Sequence, residues 1–98
     1  MAIARTSYEL TAAKQIRVGS GILTRVSIKT NGTDNATVIL YDVAAAGDIA
    51  VTNKLEEITV LGANHYGGFD WSHPVKYTAG LYCTVTGTGA SYIVEYKK

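Results

Sequence analysis

The segment at residues 81–96, with the sequence LYCTVTGTGASYIVEY, constrains the fold of this chain more than any other stretch. Apolar and polar side chains alternate on both sides of residues 87–90, where the sequence Gly-Thr-Gly-Ala is typical of a turn. This is the pattern of two β-strands joined as a hairpin. We therefore predict a hairpin in which Thr86 pairs with Ser91.

The predicted register gives the hairpin two chemically different faces. One face consists of apolar and aromatic side chains, namely Leu81, Cys83, Val85, Tyr92, Val94 and Tyr96. The other face has Tyr82, Thr84 and Ile93 among more polar neighbours. Because a slip of one residue would mix the two sets, the pattern specifies its own register. We expect the first face in the core, and the second to be covered by another layer or by a partner.

The same alternation predicts strands in the middle of the chain. Residues 22–30 alternate so that Ile22, Val26 and Ile28 share one face, which indicates a half-buried strand. The Asn- and Gly-rich turn that follows would join this strand to residues 36–43, which are apolar on both faces and therefore more central. We predict that these two strands form a second hairpin.

Further strands follow towards the C-terminus. Residues 53–61 predict a strand with Ile58 and Val60 facing inward. The alternating stretch that begins at Phe69 contains Pro74, which is tolerated at an edge strand or at the start of a strand. In total the sequence predicts about seven short strands and no stable helix. The spacing of these strands along the chain is typical of an all-β sandwich or small barrel.

The N-terminal residues are the least regular part of the chain. Apolar positions such as Tyr8 and Leu10 occur there, but they follow no clean period. We predict that residues 1–14 form an arm, with a flexible tail as the alternative. The β-domain is expected to comprise residues 15–98, beginning with a short strand at residues 15–18.

The composition excludes several classes of function. The 98 residues carry a formal net charge of +1, and their basic residues are scattered, so there is no electrostatic footprint for nucleic acid. Cys83 is the sole cysteine, which excludes an intrachain disulfide and a Cys-based zinc site. No apolar run approaches the ~18 residues of a membrane helix, and the N-terminus lacks the apolar core of a signal peptide. Charged residues make up 17% of the chain, which suits a surface partly covered by partners and equally an ordinary small β-domain.

Residues 65–73 hold both histidines and a carboxylate and are the strongest candidate for chemistry. A metal site would need His65, Asp70 and His73 to converge, and no recognised ligand spacing is present. A triad of Asp70, Ser72 and His73 is disfavoured because neighbouring side chains on a strand point to opposite faces. We therefore predict a non-enzymatic protein with no catalytic residue, no metal site and no cofactor.

Aromatic side chains offer a binding function instead, because aromatic rings stack on sugars in carbohydrate-binding β-sandwiches. The candidates are Tyr41, Tyr66, Trp71, Tyr77 and Tyr82. The alternative is that Trp71 and Phe69 fill the core while the tyrosines line its rim with their hydroxyls in water. Tyrosines at the rim would also serve at a protein interface.

Several short sequence segments occur in a distinctive order between residues 16 and 96. They lie at residues 21–23, 31–33, 36–42, 77–87 and 90–96. This order resembles that of small tailed-bacteriophage structural proteins, which decorate or cement a capsid with a compact β-sandwich or jelly roll. The resemblance implies a single antiparallel β-sandwich, jelly-roll-like, with about seven or eight short strands. It also implies a homo-oligomer, often a trimer, that binds the major capsid protein or another virion protein.

We therefore expect a virion structural protein, made in the host cytoplasm, that acts through protein–protein contacts. A carbohydrate-binding module and an accessory protein of a phage neck or tail are the alternatives. The arm would add contacts to a neighbouring subunit through Tyr8 and Leu10. Tyr82, Thr84 and Ile93 would contribute the rest of the candidate interface.

Overall fold

The computed structural model describes residues 4–97, which form eight strands and three single 3₁₀ turns. The strands are β1 (Ala4–Thr6), β2 (Lys14–Val18), β3 (Gly21–Lys29), β4 (Ala36–Tyr41), β5 (Lys54–Val60), β6 (Tyr66–Tyr77), β7 (Gly80–Thr86) and β8 (Ser91–Lys97). The 3₁₀ turns flank β5, at Ala46–Asp48, Val51–Asn53 and Gly62–Asn64. The first three residues of the predicted arm and residue 98 of the predicted domain lie outside the described residues.

The strands pair into two antiparallel sheets that pack face to face. Sheet A has the order β1–β8–β3–β6, and sheet B has the order β2–β7–β4–β5. Most connections therefore cross from one sheet to the other, and of the consecutive strands only β4 and β5 are hydrogen-bonded neighbours. This interleaved order is that of the eight-stranded jelly roll. The predicted all-β sandwich is confirmed in its jelly-roll form.

The core lies between the two sheets and is built from the inward side chains of both. Its fully buried large side chains are Leu23, Val26, Ile28, Val38, Leu40, Tyr77, Leu81, Cys83, Tyr92 and Val94. Removing each such side chain from water contributes about 1.5–3 kcal/mol to folding. Strand β4 lies between β7 and β5, so its predicted central position is confirmed. Strand β6, which contains Pro74, is an edge strand as predicted.

Strands β7 and β8 do not form the predicted hairpin. Strand β7 pairs with β2 and β4 in sheet B, whereas β8 pairs with β1 and β3 in sheet A. The pairing of Thr86 with Ser91 is therefore wrong, although the inward faces were assigned correctly. Cys83 and Val94 are both fully buried, but they belong to opposite sheets and are not neighbours on a ladder. Alternation reveals which side of a strand is buried and leaves open which strand lies beside it.

The predicted hairpin of residues 22–30 and 36–43 is wrong for the same reason. Strand β3 belongs to sheet A and β4 to sheet B, so the turn between them crosses the sandwich. Within β3 the pairing shifts between Leu23 and Arg25, which is a β-bulge. The bulge brings Leu23 into the core with Val26, while Ile22 stays only half-buried. The predicted inward position of Ile22 is corrected accordingly.

The N-terminal residues lie along β8 of their own chain. Ala4–Thr6 pairs with residues 95–97 as the edge strand of sheet A. Further along, the backbone N–H of Leu10 donates to the Tyr92 carbonyl at 2.9 Å, and the Tyr92 N–H donates back at 2.9 Å. Residues 4–14 therefore contribute to the sandwich itself, and their contact with a neighbouring subunit stays a prediction.

The connection from β6 to β7 is held by Asp42, which follows β4. Its carboxylate accepts hydrogen bonds of 2.8–3.2 Å from the backbone N–H groups of Thr78, Ala79 and Gly80, and one of 3.1 Å from the Thr78 hydroxyl. Partial burial alone raises the pKa of this carboxyl group, but the hydrogen bonds outweigh it and hold the pKa of Asp42 below its ordinary value. The carboxylate thus fixes the point where the chain passes from sheet A to sheet B.

Candidate functional site

The outer face of sheet B brings together two of the predicted interface residues. Tyr82 and Thr84 point outward from β7, and their direct neighbours on β4 are Tyr41 and Ile39. All four side chains are partly exposed. We call these four residues the sheet B face. In this face two tyrosines lie side by side on neighbouring strands, next to an isoleucine and a threonine.

The border of the sheet B face is polar, and its centre is uncharged. On one side Thr37 and Thr59 share a hydrogen bond of 2.9 Å between their hydroxyl oxygens. On β5, the Lys54 ammonium lies 3.0 Å from the Glu57 carboxylate. These two charged residues lie directly beside Tyr41 and Ile39 on the edge strand, whereas β4 and β7 themselves contain no charged residue.

The other three predicted interface residues lie elsewhere. Ile93 is on the outer face of sheet A, because β8 belongs to that sheet. Tyr8 is 90% exposed in the segment between β1 and β2. Leu10 packs against the core, next to the bridge with Tyr92. The five predicted residues therefore do not form one patch.

The outer face of sheet A contains a cleft of about 400 Å³. Its outward-facing side chains are Arg25, Ser27, Lys29, Tyr66 and Ile93, with Glu9 from the segment before β2. A second hollow of about 250 Å³ adjoins it, shares Arg25 and Ser27, and extends to Gly68 and Asp70. We call the two hollows together the sheet A cleft.

The strand register explains the shape of the sheet A cleft. Ser27 in the central strand has Gly68 on one side and Ile93 on the other. The backbone of Gly68 has φ +143°, and a Cβ atom there would collide with the Val26 carbonyl. Only glycine fits this position. Because Gly68 has no side chain, the surface is recessed beside Ser27, and this recess is the floor of the cleft. Tyr66, which is 69% exposed, rises beside that floor.

The register also distributes charges of both signs along the sheet A cleft. Arg25 lies between Asp70 of β6 and Glu95 of β8. Lys29 lies between Tyr66 and Ser91. The cleft therefore offers positive donors, carboxylate acceptors and hydroxyl groups that can do both.

The segment at residues 65–73 is stretched along the edge of sheet A. Trp71 donates from its indole N–H to Glu56 Oε1 at 3.1 Å, and its ring centroid lies 5.1 Å from that of Phe69. Phe69 is 53% exposed, so the proposal that it fills the core is wrong. The side chains of residues 72–74 are outside the described ones, and so are the roles considered for Ser72 and His73. Among the side chains that are described, no three His, Cys, Asp or Glu come together.

The buried titratable groups of the core are held in their neutral forms. Burial raises the pKa of the Cys83 thiol, which keeps it protonated and unreactive. Burial, reinforced by the nearby Cys83 and Tyr82, raises the pKa of Tyr92. The Tyr92 hydroxyl donates to the Ala12 carbonyl at 2.8 Å, and the buried Tyr77 hydroxyl donates to the Lys97 carbonyl at 3.3 Å. Tyr77 is therefore a core residue and not a rim residue with a wet hydroxyl, and the core position predicted for Tyr92 is confirmed.

Sequence reasoning did not identify the sheet A cleft. Its side chains come from the β1–β2 segment and from strands β3, β6 and β8, which are distant in sequence. One local signal was available, since Tyr66 precedes the glycine pair Gly67 and Gly68 on a strand.

Comparison of this chain with protein-family models, with curated proteins and with solved structures gave no match. Across residues 4–97, none of the helical turns is long or apolar enough to cross a membrane.

Proposed function

We propose that this chain is a non-enzymatic virion structural protein that decorates or cements a capsid. In this proposal the sheet B face contacts the major capsid protein or another virion protein. The observation that carries the proposal is the chemistry of that face, where Tyr41 and Tyr82 lie side by side on neighbouring strands. The resemblance of the segment order to phage decoration proteins points to the same function.

The centre of a protein interface differs in composition from ordinary protein surface. Interface centres are depleted in charged residues and enriched in tyrosine, and their rims are polar. The sheet B face has this arrangement, with Ile39 and the two tyrosines inside a border of threonines and the Lys54–Glu57 pair. A rigid sheet presents these side chains without further ordering, which lowers the entropy lost on binding.

A second feature supports an oligomer, which is the expected state for a decoration protein. Tyr8 is 90% exposed in a segment that is fixed to β8 on both sides, by Ser7 and by Leu10. An aromatic side chain held out from a fixed backbone is suited to contact a neighbouring subunit. We propose that Tyr8 makes this contact in a homo-oligomer.

The experiment is a binding assay between purified chain and capsids of its own virion assembled without it. The double variant Ile39→Ser/Tyr82→Ser should reduce affinity about 30-fold or more, because truncation at an interface centre removes about 2 kcal/mol or more. The control is Tyr66→Ser, which removes an exposed tyrosine from the other sheet and should leave capsid affinity unchanged. Circular dichroism would verify that both variants keep the fold.

Equal capsid affinity for the double variant and the wild type would contradict the assignment of the sheet B face. Binding to purified necks or tails, but not to capsids, would replace decoration with the neck or tail alternative. Light scattering coupled to size exclusion would give the oligomeric state, for which we expect a stable homo-oligomer that Tyr8→Ser weakens.

A further inference from the structure

The sheet A cleft has the properties of a ligand site that the proposed capsid contact does not use. It lies on the opposite side of the sandwich from the sheet B face, so both surfaces can be occupied at once. Its main hollow of about 400 Å³ falls within the range of roughly 300–1,000 Å³ that is usual for ligand clefts. The floor of Ser27, Gly68 and Ile93 is low, and Tyr66 stands beside it.

The charges of the cleft restrict the chemistry of what it can hold. The charged side chains that line the two hollows are Arg25, Lys29, Glu9 and Asp70. Two carboxylates balance two cations, so the cleft has no excess of positive charge to attract a polyanion such as a nucleic acid. The same polar groups disfavour an apolar peptide or lipid, because its burial would leave them without hydrogen-bond partners.

A neutral sugar chain fits both restrictions. Each sugar hydroxyl donates and accepts a hydrogen bond, so it can use Arg25 and Lys29 as donors and Glu9 and Asp70 as acceptors. The apolar face of a sugar ring packs on an exposed aromatic ring, and Tyr66 is 69% exposed at the side of the cleft. From this combination we infer that the sheet A cleft binds a neutral oligosaccharide.

Of the five aromatic side chains considered for sugar stacking, Tyr66 is the one in the cleft. Tyr77 is buried in the core, and Trp71 is half-buried with its N–H bonded to Glu56. Tyr41 and Tyr82 are only partly exposed on the sheet B face. Tyr66 alone of the five candidates combines high exposure with a cleft lined by charged hydrogen-bonding groups.

The test is an NMR titration of the wild-type chain with maltohexaose, cellohexaose and chitohexaose, and with a heparin hexasaccharide as a polyanionic comparison. We expect at least one neutral hexasaccharide to shift the amide signals of Ser27, Lys29 and Gly68. Tyr66→Ala should weaken that binding about tenfold or more. Ser27→Leu, which fills the floor from an outward position, should abolish it.

Tyr82→Ala is the matched control, because it removes a tyrosine from the other sheet and should leave the titration unchanged. No shift with any neutral hexasaccharide at millimolar concentration would overturn the inference, and so would binding that survives both Tyr66→Ala and Ser27→Leu. Preference for heparin would also overturn it and indicate an anion site. These outcomes are independent of the capsid assay, in which Tyr66→Ser should have no effect and the double variant Ile39→Ser/Tyr82→Ser should weaken binding.

Discussion

The outer faces of sheets A and B have the same number of strands but different chemistry and shape. On sheet B, the central strand β4 presents Thr37, Ile39 and Tyr41, and the surface is uncharged at its centre. On sheet A, the corresponding strand β3 presents charged residues on either side of Ser27, and a glycine lowers the floor. One face suits a protein surface, and the other suits a small polar ligand.

The two outer faces differ although both sheets contribute to the same core. The inward residues of the two sheets are chemically similar, since both sheets contribute apolar side chains to the same core. The two sheets differ in their outward residues. Alternate positions on a strand point away from the core, so core packing does not restrict which side chains they hold. The jelly roll therefore supplies two independent surfaces without changing its interior.

The largest effect on stability is expected from placing a charge at an inward position of β7, compared with the same charge at the next, outward position. Cys83→Asp places an unpaired charge in the core and should destabilise the fold by about 4 kcal/mol or more. Its neighbour Thr84 faces outward, so Thr84→Asp should change stability by about 0.5 kcal/mol or less. Urea denaturation followed by tryptophan fluorescence measures both, and equal losses would show that the outer face of β7 is buried.

The next effect concerns the join between the two sheets. Asp42→Asn removes the charged acceptor of the β6–β7 connection and should cost about 1–2 kcal/mol at pH 7, since the group is partly exposed. The folded-state pKa of Asp42 is lowered from its ordinary 3.8, so its stabilisation is present above that pH. It is lost as the pH falls through the lowered pKa, when the carboxylate becomes protonated.

The stability difference between wild type and Asp42→Asn should therefore be constant from neutral pH down to about pH 5 and shrink below about pH 4. Denaturation curves at pH 7, 5, 4 and 3 measure it. A difference that grows on acidification would contradict the role of the charged carboxylate.

The smallest effect on stability is expected where the edge strand β6 of sheet A meets the edge strand β5 of sheet B. Glu56→Ala removes the acceptor of the Trp71 indole N–H and should cost about 1 kcal/mol. Because Trp71 is the sole tryptophan, its fluorescence maximum should move to longer wavelength as the ring becomes more hydrated. An unchanged spectrum would show that Glu56 does not hold the indole in solution.

The fold class could be predicted from the sequence, because the period of two marks the buried side of each strand. Leu81, Cys83 and Val94 were assigned to the core correctly for this reason. The strand neighbours could not be predicted, since a glycine-rich turn such as residues 87–90 can reverse a chain within one sheet or carry it across to another. Both predicted hairpins failed at such a turn.

The surfaces were predicted less well than the core. Tyr82 and Thr84 were identified together because they are two residues apart on one strand. The sheet A cleft was missed because its floor joins Ser27, Gly68 and Ile93, which become neighbours only when three distant strands pair. The bulge after Leu23 had no sequence signal either, since an extra residue in a strand leaves the local composition unchanged.

A cryo-electron microscopy map of capsids decorated with this chain tests the central claim most directly. We predict that Ile39, Tyr41 and Tyr82 lie against the capsid surface, and that the sheet A cleft with Tyr66 faces away from it and stays open. A map in which sheet A lies against the shell, or in which the sheet B face is fully exposed to solvent, would contradict the assignment of the two faces.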